Sequence, residues 1–174
     1  MLTDPSDCVQ RLNPAWSPDG SVIAFTWTLG QGDIYVMNPD GTNQVNLTPG
    51  TQGWDDVDTA WSPDGTRIAY TSDQYYDLLT FNTDIFVRNA DGSGKVRVTD
   101  DIHIDRDPTW SPDGTEIAFS STRGGNYDIW AVAAPPPGPR AGSPEGPSED
   151  GLRQVTTSPA PISIPTGERN RPSP

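Results

Sequence analysis

The sequence predicts an all-β protein, a β-propeller of four-stranded antiparallel blades, with three blades in this chain. The segment Ala-Trp-Ser-Pro-Asp-Gly at residues 15–20 returns at 60–65 and, with Thr in place of Ala, at 109–114. The tryptophans of the three copies stand 45 and 49 residues apart. This period is typical of one propeller blade, whose four strands form one sheet. No segment shows a helical period of useful length.

Each Ser-Pro-Asp-Gly segment predicts a tight turn between the first two strands of a blade. Pro presets φ at the second position, Asp suits the third, and Gly at the fourth takes a positive φ. The tryptophan before the turn is expected to pack between neighbouring blades.

The remaining strands of each blade follow from shorter repeated patterns. After every turn, large residues alternate with alanine, as in Ile-Ala-Phe at 23–25, which predicts a second strand covered on both faces. A third strand is predicted at each Asp-Ile-aromatic sequence, and a fourth strand ends in Leu-Thr or Val-Thr. The third-strand motifs are at residues 33–35, 84–86 and 128–130, and the fourth-strand motifs at 47–48, 98–99 and 155–156.

These motifs divide the chain into consecutive segments. Leu2 stands as far before Trp16 as Leu47 stands before Trp61, so the chain is expected to begin inside a repeat. The predicted segments are 1–12 as the end of a preceding blade and the loop after it, 13–48 as blade 1, 49–99 as blade 2, 100–156 as blade 3 with a Pro-rich insertion at 135–149, and 157–174 as a disordered Pro-rich tail.

Three blades do not close a ring, because propellers have about four to eight blades. An open wedge would expose apolar blade faces, so two interpretations stand side by side. Two copies could meet head-to-tail in a six-bladed ring with two-fold symmetry. Alternatively, the chain is a piece of a longer propeller.

The order Asn-Pro-x-Trp-Ser-Pro-Asp-Gly, Ile-Ala-Phe, Asp-Ile-Tyr-Val, Asp-Gly and Leu-Thr resembles the TolB-like β-propeller repeat, over roughly residues 2 to 156. The resemblance implies blades around a central channel, with the tryptophan-bearing strand innermost. This repeat occurs in TolB, a periplasmic partner-binding protein, and in propeller domains of tricorn-type and prolyl-oligopeptidase-type peptidases. The resemblance therefore implies a non-catalytic scaffold for protein or peptide binding, or alternatively a module gating a peptidase or hydrolase domain absent from this chain.

Charge and hydropathy exclude several other classes of function. The net charge of −13 repels phosphate backbones, so nucleic acid is not an expected partner. No apolar run reaches the length of a bilayer crossing, so membrane insertion is not expected. The first residues show no signal-peptide pattern, whereas the resemblance implies an extracytoplasmic or periplasmic location; the sequence leaves the compartment open.

Acidic residues cluster just before the tryptophans of the second and third repeats. Three residues before the tryptophan stand Asn13, Asp58 and Asp107, and five residues before it stand Arg11, Asp56 and Asp105. We expect all six at one mouth of the channel, where stacked carboxylates favour a basic partner or a cation. Oxygen ligands suit calcium or magnesium, and the candidate ligands for a calcium ion are Asp56, Asp58, Asp105 and Asp107. The alternative is that these carboxylates cap local amides or are simply solvated.

A second candidate surface is the apolar connection of the second repeat, where Tyr75, Tyr76 and Phe81 are predicted to cover a rim and contact a partner. Catalysis is poorly supported, since His103 is the single histidine and Cys8 the single cysteine. These two residues supply neither a nucleophile with its base nor a zinc site. We therefore predict no catalytic residue, and a protein that is not an enzyme.

Overall fold

The computed structural model describes residues 10–28, 31–50, 54–75, 81–136 and 151–157. These residues form twelve strands in three antiparallel sheets of four strands each, and none of them is helical. The prediction of an all-β chain with three four-stranded blades is confirmed. A helix that could cross a membrane is not found among these residues.

Each blade is a four-stranded meander whose strands lie side by side in chain order. Blade 1 contains β1 (Gln10–Trp16), β2 (Ile23–Thr28), β3 (Gly32–Met37) and β4 (Val45–Asn46). Blade 2 contains β5 (Asp55–Trp61), β6 (Arg67–Tyr75), β7 (Phe81–Asn89) and β8 (Val96–Arg97). Blade 3 contains β9 (Asp105–Trp110), β10 (Glu116–Ser121), β11 (Asp128–Ala133) and β12 (Arg153–Gln154). Most of the predicted Pro-rich insertion and tail, and residues 1–9, lie outside the described residues.

The Ser-Pro-Asp-Gly turns close the hairpins by the same hydrogen bonds in each blade. In the first turn, the amide of Gly20 donates to the carbonyl of Ser17 at 2.9 Å, and Gly20 takes a φ of 73°. The Ser17 hydroxyl donates to Asp19 Oδ1 at 2.6 Å. This hydroxyl, together with the amide and hydroxyl of Ser21, lowers the pKa of Asp19 to about 2. The conformation of each turn is therefore stabilised by hydrogen bonds from its own side chains.

The hydrophobic core lies between the blades. We call the face that a blade turns toward the next blade in chain order its outgoing face, and the opposite face its incoming face. Between blades 1 and 2, Ala24, Ile34 and Leu47 of the outgoing face pack on Ile68, Tyr70 and Phe86. Between blades 2 and 3, Ala69, Ile85, Val87 and Val98 pack on Trp110, Ile117, Phe119 and Val132. Small and aliphatic side chains thus meet larger ones, which fills the space between sheets.

The tryptophan before each turn joins its blade to the preceding blade. The indole Nε1 of Trp61 donates to the carbonyl of Ala15 at 3.1 Å, and that of Trp110 donates to the carbonyl of Ala60 at 3.2 Å. The repeated six-letter segment therefore carries both a turn and an inter-blade contact.

Candidate binding site along the first strands

The first strands of the three blades, β1, β5 and β9, lie beside one another and share an irregularity at the same place. The pairing of β1 with β2 shifts between Leu12 and Ala15, and the pairing of β5 with β6 shifts between Val57 and Ala60. The residue at each bulge has a left-handed backbone, with φ of 51° at Asn13, 56° at Asp58 and 54° at Asp107. Asn and Asp tolerate this conformation better than other residues with a side chain. The bulges therefore explain why these residue types recur three positions before each tryptophan.

Asn13, Asp58 and Asp107 form what we call the left-handed row. The side-chain amide of Asn13 donates to Asp58 Oδ1 across the blade junction. Asp58 is half-buried, while Asn13 and Asp107 are exposed. Burial raises the pKa of Asp58, and the charge of Asp107 raises it further, whereas Arg106 lowers it. A cationic group placed at the row would relieve the repulsion between these two carboxylates.

Of the other three predicted site residues, Asp56 and Asp105 lie in the junctions between blades, where they interact with Thr48 and Thr99 of the preceding blade. Asp56 and Asp105 are fully buried. The Ser72 hydroxyl donates to Asp56 Oδ1 at 2.5 Å, and the Arg123 guanidinium donates to Asp105 Oδ2 at 2.8 Å. Burial raises the pKa of both carboxyls, and the hydroxyl groups and cations around them oppose that rise.

The bulge is the physical reason for the burial of these two aspartates. Asp56 pairs with Ser72 and Trp61 pairs with Ile68. Trp61 lies five positions after Asp56 in β5, whereas Ile68 lies only four positions before Ser72 in β6. The extra residue in β5 brings Asp56 onto the same face as Trp61, which packs on blade 1. In blade 1 the equivalent residue is Arg11, whose guanidinium carbon lies 4.3 Å from the centre of the Trp27 ring.

The four candidate calcium ligands fall into the same two groups, with Asp58 and Asp107 in the left-handed row and Asp56 and Asp105 in the junctions. Within the described residues, no group of three or more His, Cys, Asp or Glu side chains is placed to hold a metal ion. Asp56 and Asp105 are engaged in the junctions. Calcium binding therefore stays a prediction that rests on Asp58 and Asp107 alone.

The predicted rim surface is only partly described. Strands β6 and β7 are nine residues long and pair as far as Tyr75 and Phe81, so this hairpin is longer than those of blades 1 and 3. Tyr76 and the side chains of Tyr75 and Phe81 lie outside the described part of the chain. Contact of this rim with a partner stays a prediction.

Sequence reasoning missed a cation near the row, Arg106. Arg106 Nη2 lies 3.9 Å from Asp73 Oδ1, and Arg106 also lowers the pKa of Asp58. The equivalent positions in the other blades are Leu12 and Val57. The repeat pattern therefore does not predict a charged residue at the position of Arg106. The only indication in the sequence is that Arg106 is next to Asp107.

No family model and no curated protein sequence matches this chain. Among solved structures, TolB from Acinetobacter baumannii is similar with a TM-score of 0.65 and 23% identity, over 90% of this chain and 34% of that one. A provisional TolB from Agrobacterium tumefaciens is similar with a TM-score of 0.62 and 27% identity, over 84% of this chain and 46% of that one. The chain has the TolB-like β-propeller fold. It spans less than half of either TolB.

Propellers of peptidases share this fold at lower identity. The tricorn protease is similar with a TM-score of 0.65 and 12% identity, over 90% of this chain and 18% of that one. A puromycin-hydrolyzing peptidase from Mycobacterium tuberculosis is similar with a TM-score of 0.63 and 16% identity, over 86% of this chain and 24% of that one. Such low identities show a common fold and carry no information on activity.

Proposed function

We propose that this TolB-like propeller segment is a non-catalytic scaffold that binds a protein or peptide through basic side chains at the left-handed row. The observation that carries the proposal is the pairing of half-buried Asp58 with exposed Asp107, whose charges repel each other. A lysine or arginine of a partner would form charge-assisted hydrogen bonds with these carboxylates and lower that repulsion.

The surroundings of the row support a binding role rather than a chemical one. The side chain of His103, the single histidine, contacts Asp101 Oδ1 at 2.9 Å and is placed in the loop before β9. The row itself offers carboxylates and an amide, without a nucleophile beside a base. TolB-like propellers are protein-interaction modules, and the likeness to TolB structures supports the same class of function here.

The test is binding of a fluorescent ten-lysine peptide, measured by anisotropy at physiological ionic strength. We expect Asp107→Asn to weaken binding by about tenfold, because it removes an exposed carboxylate at the row. Asp58→Asn should weaken it further. Asp40→Asn is the matched control, because Asp40 is an exposed turn residue on the β3–β4 connection and loses the same charge. Equal losses in Asp40→Asn and Asp107→Asn would show attraction to the overall negative charge and contradict the proposal.

Two peptidase structures contain a propeller of this fold, and this gives one second candidate. In that case the segment is a propeller module beside a hydrolase domain, and the row would select the charge of peptides that approach it. A chain containing this segment and a hydrolase domain would then cleave basic peptides less efficiently after Asp107→Asn, and neutral peptides as before.

A further inference from the structure

The outgoing face of blade 3 is built like those of blades 1 and 2, yet it is exposed. Ile129 and Val155 are both accessible to solvent. Their equivalents in blade 2, Ile85 and Val98, are buried against blade 3. The outgoing face of blade 3 therefore has the residues of a blade junction, without a next blade among the described residues.

The first strand is the part of a following blade that does most of the packing. β5 contacts β1, β2 and β3, and β9 contacts β5, β6 and β7. In each case the strand brings an indole that donates to the preceding blade and a residue, Asp56 or Asp105, that reaches the threonine after that blade's fourth strand. An occupant of the exposed face should present a first strand with the same features.

β1 of this chain presents such a strand. Trp16 has the position of Trp61 and Trp110, and 58% of its surface is exposed. Ile23 and Phe25, on the incoming face of blade 1, are already buried within the chain, so β1 is the free part of this face.

The charges at the two internal junctions differ from those at the two free faces. At the first junction Thr48 interacts with both Asp33 and Asp56, and the charge of Asp33 raises the pKa of Asp56. At the second junction the charge of Asp105 raises the pKa of Asp84. Both internal junctions therefore hold two carboxylates that repel each other.

The free faces carry opposite charges at these same positions. On blade 3, Thr156 Oγ1 donates to Asp128 Oδ1 at 3.3 Å, in the arrangement seen for Thr48 and Asp33. On blade 1, Arg11 replaces the junction aspartate, pairing with Trp27 as Asp56 pairs with Ser72. Arg11 Nε is buried and has no hydrogen-bond partner within the described residues. A junction between these two faces would join an arginine to an aspartate.

We propose that the outgoing face of blade 3 binds the incoming face of blade 1 of a second copy of this chain. In this junction Trp16 Nε1 donates to the carbonyl of Thr109, the equivalent of Ala15 and Ala60, and Arg11 approaches Asp128 and Thr156. Two such junctions close a ring of six blades with two-fold symmetry, within the usual blade number of propellers. The left-handed row is then repeated in the second copy.

Light scattering on a sizing column tests the proposal with the 174-residue chain. We expect twice the mass of the chain at about 100 µM, and a dissociation constant at least about tenfold higher for Arg11→Asp, which places an aspartate opposite Asp128. Val155→Asp should have a similar effect. Val45→Asp is the matched control and should leave the dimer intact. Val45 is an exposed valine of β4 that belongs neither to the outgoing face of blade 3 nor to the incoming face of blade 1.

Mixing the two variants identifies the head-to-tail geometry. Arg11→Asp retains a sound outgoing face and Val155→Asp a sound incoming face, so an equimolar mixture should form a dimer with one intact junction. A dimer that instead joins two like faces, outgoing to outgoing or incoming to incoming, would be weakened by only one of the two substitutions, and that result would contradict the head-to-tail geometry. A monomer at all concentrations up to about 100 µM, or a dimer unaffected by both substitutions, would overturn the proposal.

Discussion

The outgoing faces of blades 1 and 2 and the outgoing face of blade 3 have equivalent residues and different surroundings. Ile34 and Ile85 are 0% exposed, whereas Ile129 is 39% exposed. Leu47 and Val98 are 2% and 4% exposed, whereas Val155 is 51% exposed. Because the residue types are nearly the same, the difference arises from the neighbour and not from the sequence of the blade. The outgoing face of a blade is therefore buried by its neighbour, which is typical of repeat architectures.

The largest expected effect comes from the isoleucine that all three faces share. Ile85→Ala removes side-chain atoms from the closed junction between blades 2 and 3 and should lower the free energy of unfolding by about 2 to 4 kcal/mol. Ile129→Ala, at the open face, should lower it by less than about 1 kcal/mol. Urea unfolding at a concentration low enough to keep the chain monomeric measures both. Equal losses would mean that Ile129 is covered in the isolated chain.

A smaller effect is expected from the pH dependence of stability. Burial raises the pKa of Asp84 to about 7, although Arg97 opposes the rise through an ion pair with an N–O distance of 2.5 Å. Between the unfolded pKa near 4 and the folded value, the folded chain binds more protons. Stability should therefore fall as the pH rises from 5 to 8.

The variant Asp84→Asn should flatten this dependence, as seen in urea midpoints at several pH values. Asp91→Asn is the control, because Asp91 is exposed and hydrogen bonds from Ser93 lower its pKa, so it stays ionised in this range. A slope unchanged by Asp84→Asn would show that Arg97 keeps the carboxyl ionised in the folded chain.

The smallest effect concerns the indole hydrogen bonds. Trp61→Phe removes the donor to the Ala15 carbonyl and should cost about 1 kcal/mol of unfolding free energy. Trp16→Phe should change stability by less than about 0.5 kcal/mol in the monomer, because Trp16 is largely exposed. Thermal unfolding of both variants in dilute solution makes the comparison. A larger loss for Trp16→Phe would mean that its indole already has a partner within the chain.

The sequence was sufficient to predict the blades because turn, strand and repeat signals agree. Pro18 and Gly20 predict a turn from local conformational preference alone, and the alternation of Ile23, Ala24 and Phe25 predicts a strand packed on both faces. The spacing of the tryptophans then determines the blade unit. None of these signals depends on a contact between distant residues.

The site was less predictable because its geometry depends on strand pairing. Asp56 and Asp58 stand two residues apart and were expected on one surface, whereas the bulge buries Asp56 in a junction and leaves Asp58 beside Asp107. A bulge is visible only in the register of two paired strands. Likewise, nothing in the repeat pattern indicated that Arg106 would act on Asp58.

The indole contact between blades has a consequence for how such chains can grow. The first strand β5 supplies both parts of this contact: Trp61 donates to the blade before it, and the carbonyl of Ala60 accepts from the blade after it. A gene segment running from one tryptophan to the residue before the next therefore encodes one indole donor and one carbonyl acceptor. Duplicating that segment would add a blade whose contacts on both sides already exist, so the circumference of the assembly can change without redesigning any surface.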